Sequence, residues 1–256
     1  MAQNKSIATA NTNNLTLLHS GLHAHPSGAL WSPEHRLLYI ADLHLGYGFA
    51  QRRRGQLGPL LDDQTAAKLD AVLDELRPAQ VVLLGDTVHA PSPIAVEREW
   101  ITAQFTRWRE CAEFVFIRGN HDRALTFDFN FPTQVQWRAC GVIALHGDQA
   151  WPEPDAHEVL LLGHLHPAIG VVDAAGVRQR IRVFLTSPQM IILPAFSPFA
   201  AGLDVWRQKP ECLANFEFDA VAATGTRTVH LGPLARLVSP AEGTRPKDYR
   251  RMRYRR

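Results

Sequence analysis

The chain has 256 residues, 46% of them hydrophobic and 20% charged, which excludes wholesale disorder. Its 17 glycines and 17 prolines follow no period, so collagen-like and low-complexity classes fall away too. Net charge is only +2, yet the last twelve residues carry seven cations and one acid (+6), while the rest of the chain carries 20 cations and 24 acids (−4).

In chain order, the first 13 residues are polar, with neither a basic start nor an apolar stretch, and read as a flexible end rather than a signal peptide. Short apolar runs then predict strands at Leu15–Leu18, Leu37–Ala41, Val81–Leu84, Phe114–Arg118, Val142–Leu145, Val159–Leu162, Ile181–Leu185, Met190–Leu193, Asn215–Phe218 and Arg227–Leu231. Leu69, Val72, Leu73 and Leu76 recur at helical spacing in Gln64–Arg77, which Pro78 closes; Ile101, Phe105 and Trp108 form a second stripe in Ile94–Arg109. Strands alternate with helices up to about Val142 and dominate after it, so the fold class is α/β. One domain is expected over 14–240, between a polar N-terminus at 1–13 and a basic tail at 241–256.

A chain of this size buries roughly three-quarters of the surface it exposes when unfolded, so a metal would serve chemistry rather than staple the core. No apolar run approaches the ~20 residues of a membrane-spanning helix. Cys111, Cys140 and Cys212 are widely spaced with no CxxC pair, which argues against a disulfide framework or a thiolate zinc site and for a reducing cytoplasm. The basic tail, with Tyr249 and Tyr254 among its arginines, reads either as a solvated end or as a polyanion-binding arm.

The informative pattern is where metal-capable side chains fall. Five predicted strands run directly into Asp42-Leu43-His44, Gly85-Asp86, Gly119-Asn120-His121-Asp122, His146-Gly147 and Gly163-His164-Leu165-His166. In an open α/β sheet the carboxyl ends of strands form the edge where ligands bind, so residues remote in sequence can meet there. The i, i+2 spacing in Asp42/His44 and His164/His166, if extended, points both side chains one way. Each fragment alone means little; the ordered set, each member behind an apolar strand, is specific.

This order of motifs resembles the calcineurin-like metallophosphoesterases. Its flanking text, ADLHLG at 41–46, the arginine-bearing loop Gln51–Gly55, LLGDTVH at 83–89, RGNHD at 118–122, LHGD at 145–148, GHLHPA at 163–168 and LPAF at 193–196, is similar to one bacterial branch, the ligase-associated DNA damage response endonucleases. The resemblance implies a four-layer α/β/β/α sandwich of two mixed sheets flanked by helices. It implies two divalent ions, one held by Asp42, His44, Asp86 and His166, the other by Asp86, Asn120, His146 and His164, with Asp86 shared. Oxygen and imidazole donors without thiolate admit Mn, Fe, Zn or Ni, and the resemblance favours manganese. Two such cations against two carboxylates leave a positive site that attracts a phosphodiester, polarises it and lowers the pKa of water.

The implied activity is phosphodiester hydrolysis, most specifically endonucleolytic cleavage of single-stranded DNA in repair, in functional association with DNA ligase and helicase repair proteins. His121 is the candidate to stabilise the transition state or protonate the leaving oxygen, and Asp122 to orient it. Arg52, Arg53, Arg54 and Arg118 either face substrate phosphates or are merely solvated, as does Arg123. Asp148 and His89 read first as local hydrogen-bonding groups. Trp100 and Trp108 read as core before base-stacking surfaces, and Phe196 and Phe199 as core or rim. His19, His23, His25, His35, His157 and His230 lie outside the motifs. The alternative is a small-molecule phosphomonoesterase or cyclic-nucleotide phosphodiesterase with the same centre, which would want a capped pocket; no cap-sized segment separates the motifs.

Overall fold

The computed structural model describes residues 14–19, 21–56, 61–172 and 175–237. The first sheet has the spatial order β1 (Thr16–His19), β2 (Leu22–Ala24), β3 (Leu30–Ser32), β4 (Leu37–Ile40), β5 (Gln80–Leu84), β6 (Glu113–Ile117) and β7 (Thr133–Gln134). β1 to β4 meander antiparallel, while β4 to β7 run parallel because helices carry the chain back. Those helices are α1 (Tyr47–Arg53) and α2 (Leu61–Leu76) after β4, α3 (Ala95–Trp108) after β5 and α4 (Arg123–Phe127) after β6.

The second sheet takes β8 (Gln136–Ala139), β9 (Val142–Leu145), β10 (Val159–Leu162), β11 (Pro167–Val172), β12 (Arg178–Ser187), β13 (Met190–Ile192), β14 (Leu203–Asp204), β15 (Asp219–Ala223) and β16 (Thr228–Pro233). Its order is β14-β11-β12-β13-β10-β9-β8, with β15 on β12 and β16 on β15. At its centre β9, β10 and β13 are parallel, so both sheets are mixed.

Alternation along the strands decides which layer each side chain joins. Leu37, Tyr39, Val82 and Leu84 meet Val142, Ala144, Val159, Leu161, Phe184 and Ile191 in a core between the sheets. Their neighbours Leu38, Ile40, Val81 and Leu83 face outward, under Leu69, Val72, Leu73 and Leu76 of α2 and Ile101, Phe105 and Trp108 of α3. With both faces covered, these strands are continuous apolar runs, as buried parallel strands are. Ile143, Leu145, Leu160 and Leu162 open onto a third core that Val205, Leu213, Phe218 and Leu234 close. Four layers result, the last made among the described residues of 3-10 turns at Glu211–Leu213 and Leu234–Arg236 and of connecting segments rather than long helices.

Several elements differ from the sequence reading. Asn215–Phe218 is not a strand: the chain there leaves a 3-10 turn, Phe218 plugs the third core, and the strand begins at Asp219. β2, β3, β7, β8, β11 and β14 have no counterpart among the expected strands, and residues 47–53, read partly as an arginine-bearing loop, are helical. The polar end at 1–13 and the basic tail at 241–256 lie outside the described residues, as do 238–240.

Candidate metal centre

β4, β5 and β6 stop in register, Ile40 beside Leu83 and Leu84 beside Ile117, and in the other sheet Leu162 stops beside Leu145. The loops that follow all emerge on one edge. There the chain reverses more sharply than an extended strand end allows: Asp42, His44, Asp86, His164 and His166 take left-handed φ of 55°, 48°, 48°, 64° and 44°. The i, i+2 pairs therefore converge through left-handed turns, not through strand geometry. Left-handed backbone costs a non-glycine residue about 1–2 kcal/mol, and clusters of it mark places where the surroundings enforce a functional arrangement. The enforcing contacts are backbone bonds between loops: His44 N donates to Asp86 O at 2.8 Å, Leu45 N to Thr87 O at 2.9 Å and Gly163 N to His146 O at 2.9 Å.

Two clusters result. Asp42, His44 and His166 form one, and Asp86, His146 and His164 the other; within each, one donor atom per residue lies within 4.8 Å of the rest. The two adjoin, with His44 Nε2 3.9 Å from Asp86 Oδ2 and His146 Nδ1 3.9 Å from Asp42 Oδ1. His146 Nε2 stands 3.1 Å from Asn120 Oδ1 and 3.2 Å from His164 Nδ1. Its Nδ1 lies 2.9 Å from Leu84 O, which can only accept, so Nδ1 carries the proton and Nε2 presents a lone pair to the cluster. A Cβ on Gly85 would collide with the His146 ring, and one on Gly119 with Asp86, so both close approaches need glycine.

The donor set fits divalent cations. Among the described residues His44 Nδ1 is buried without a hydrogen-bond partner, and so is His166 Nε2, though it lies 2.9 Å from Asp42 Oδ1. Such orphans cost about 1–3 kcal/mol each unless something takes their lone pairs. Burial drops the His44 pKa to about 3 and lowers that of His164, leaving both rings neutral as ligation requires. Burial also opposes ionisation of Asp42, but His166, His146 and His44 outweigh it and hold that carboxyl below its usual range. At Asp86 burial wins over His146 and raises the pKa, a carboxylate short of positive charge. Two imidazoles and a carboxylate per cluster, with no thiolate, suit ions from manganese to zinc.

His121 stands beside this centre with its side chain 41% exposed and Nε2 4.0 Å from Asp86 Oδ2. Its N–H donates to Asp86 Oδ1 at 2.9 Å, and its Nδ1 is 3.3 Å from His89 O. Asp122 is fully buried and accepts the N–H groups of Val88 and Gly119 at 3.0 and 2.9 Å, so it fixes the turn that carries His121 rather than touching the ring. Burial pushes Asp122 up to about 6 against those two bonds. The His89 ring lies parallel to that of His121 at 5.8 Å, and its own pKa is lowered to about 4, by burial first and by His121, Arg54 and Arg53 after it.

The arginines of α1 separate by role. Arg53 pairs at 2.7 Å with Glu97, a carboxylate wholly buried on α3; Arg52 lies over the Phe49 ring at 4.4 Å; Arg54 closes the helix, exposed and without an ion pair among the described residues. Arg118 is exposed. Trp108 is core and donates to Asp70 at 2.7 Å, Trp100 packs on Phe49, and Trp151 donates to Gly147 O at 3.1 Å. Asp148 takes a local bond from Gln149 at 2.8 Å.

Sequence reasoning missed Glu97, Lys68, Arg182 and Tyr47. Lys68 Nζ donates to Phe196 O at 2.6 Å and Arg182 to Ser197 O at 3.3 Å, gripping from behind a loop whose Phe196 and Ser197 N–H groups bond to Ala41 O and Asp42 O. A charged residue inside an otherwise apolar stripe, as Glu97 is four positions before Ile101, was the available signal.

The fold thus carries two adjoining candidate sites for divalent ions at one sheet edge. The calcineurin-like phosphoesterase profile matches residues 35–191, more than half of the chain, and the chain belongs to that family. No curated protein matches it. Among solved structures, the Pseudomonas putida nuclease MPE has a TM-score of 0.62 at 24% identity, over 86% of this chain and 100% of that one. A Streptococcus pneumoniae TIGR4 protein described as a predicted phosphoesterase has a TM-score of 0.24 at 14% identity, over 73% and 81% of the two chains.

Proposed function

We propose that this chain is a metal-dependent phosphodiesterase that cleaves single-stranded DNA internally, in a cytoplasmic repair setting, with two manganese ions as its cofactors. The observation that carries the reading is the meeting of two His–His–Asp clusters at one edge, adjoined at Asp86. Asp42, His44, His166 and Asp86 would hold one ion, and Asp86, Asn120, His146 and His164 the other. Bound there, divalent ions supply Lewis acidity to phosphoryl oxygens and lower the pKa of water. His121, beside the ligands and open to solvent, protonates the leaving oxygen. Asp122 keeps the turn in place, and the Leu84 carbonyl keeps the His146 tautomer correct.

The substrate class rests on the openness of the centre, where Asn120 is exposed and the His121 ring is 41% exposed, on Arg54 and Arg118, exposed and without an ion pair among the described residues, and on the likeness to a nuclease. A strand passing through needs such an open edge. Circular single-stranded DNA with manganese is the decisive substrate, since it has no ends for an exonuclease. Linearisation that disappears in Asp86→Ala is expected; intact circles beside rapid hydrolysis of small phosphoesters would refute the nuclease reading.

A further inference from the structure

The ring next to the ligand layer belongs to no strand and no motif. Tyr47 opens α1 three residues after His44, with its N–H on His44 O at 3.2 Å. Its ring lies edge-on to His89 at 5.0 Å, and His89 lies 5.5 Å from His44. On its other side, Phe199 is parallel to it within 3°, with centroids 6.2 Å apart. Phe199 is itself pinned to the centre: its N–H reaches Ser197 Oγ at 3.4 Å, and Ser197 N–H bonds to Asp42 O at 3.2 Å. Two parallel rings are thus tied to the one loop that carries Asp42 and His44, Tyr47 directly and Phe199 through Ser197.

Neither ring is spent on the core. Both are half-buried, whereas Phe196, three residues before Phe199, is fully buried under Lys68. The Tyr47 hydroxyl makes no hydrogen bond among the described residues, so nothing but packing holds that face. The helix that Tyr47 opens ends in Arg52, Arg53 and Arg54, of which Arg53 is paired with Glu97 and the other two add positive charge to the same element. An aromatic face with cations at its edge, one ring away from a phosphodiester-cleaving centre, has the chemistry of a single-strand path: bases stack on the ring while phosphates follow the charge.

We infer that Tyr47 and Phe199 form a stacking shelf for a nucleobase flanking the scissile phosphate, so that the enzyme selects strands that carry bases over bare phosphodiesters. This rests on the reading of the centre as a nuclease and adds what that reading lacks, a contact that sees the base. It is sequence-tolerant, because every base has a π face.

The test compares two single strands of equal length, one of normal nucleotides and one of abasic tetrahydrofuran units, cleaved by the manganese-loaded full chain. Wild type should prefer the base-bearing strand in kcat/KM. Tyr47→Leu and Phe199→Leu should each reduce that preference roughly 5- to 150-fold, the range of one lost base stack, while Tyr47→Trp keeps it. A 2-aminopurine beside the cleavage position should be quenched on binding Asp86→Ala protein and not on binding the Asp86→Ala, Tyr47→Leu double variant. A preference unchanged in the leucine variants, including one in which both strands slow equally, overturns the shelf and leaves the nuclease reading standing. Wild type that cleaves neither strand yet hydrolyses a small phosphodiester overturns both.

Discussion

Asn120 and His121 are neighbours on one turn, yet their geometry assigns them different work. Asn120 Oδ1 faces His146 Nε2 inside a cluster, whereas His121 bonds to the clusters through its N–H and its part-exposed ring stands beside them, Nε2 4.0 Å from Asp86 Oδ2. His121→Ala should therefore retain near-normal manganese while turnover falls by about 10²–10⁴-fold, the usual loss for a missing general acid. Asn120→Ala should instead lower metal content at one site, read by elemental analysis of dialysed protein. Equal metal loss in both would show that His121 is a ligand. Away from the centre, His25 offers a pH test. Its Nδ1 accepts the Ser27 N–H at 3.1 Å, so Nε2 holds the proton toward Glu75 at 3.3 Å. Burial lowers its pKa below 6.5, and Glu75 offsets this only in part. The unfolded chain thus protonates first as pH falls. The His25 contribution is complete above pH 6.5 and is lost below it, until the folded pKa is passed. Unfolding free energy measured at about pH 7.5 and 5.5 should fall more in wild type than in His25→Gln, and parallel curves would remove His25 from the account.

Elements were legible where periodicity was long and unmistakable. The stripe Leu69, Val72, Leu73, Leu76 predicts α2, and the runs before each ligand loop predict β4, β5, β6, β9 and β10, because strands covered on both faces must be apolar throughout. Short elements were not. α1 is seven residues long and holds a glycine, and β15, DAVAA, carries alanines that favour no strand by themselves; it is made a strand by β12 and β16 on either side. Nor could the ligands' left-handed backbone be read, since it follows from loop-to-loop hydrogen bonds between distant segments. α1 illustrates how such a short helix is held. Asp62 of α2 accepts the N–H groups of Gly46 and Phe49 at 2.8 and 3.1 Å, and Glu97 of α3 grips Arg53. Arg53→Ala leaves Glu97 buried without its cation, which costs about 3–5 kcal/mol for a fully buried pair. With the Arg53 side chain 36% exposed, solvent screening brings the expected loss down to roughly 2 kcal/mol. Urea unfolding should show it, and Glu97→Gln in the same chain should recover part of it; a loss within about 0.5 kcal/mol would mean the pair is idle.

For the molecule as a whole, the proposed substrate is a polyanion while residues 1–244 carry −4, so the test falls on residues 245–256, with +6. The strand-end centre supplies local attraction, and of the exposed arginines on the loops and short helices beside it Arg52, Arg54, Arg118 and Arg123 have no ion pair among the described residues. A long substrate gains affinity from each phosphate contact, because each releases condensed counterions, and that gain is read as the slope of log affinity against log salt. Removing residues 245–256 should therefore weaken binding to single-stranded DNA and flatten its salt dependence. If four of the seven cations touch phosphates, the slope changes by about 3, at roughly 0.7 per contact. Cleavage at saturating DNA should persist, since every proposed ligand precedes residue 167. An unchanged slope in the truncated chain would assign the tail to solvation alone and leave the attraction to the centre and to α1.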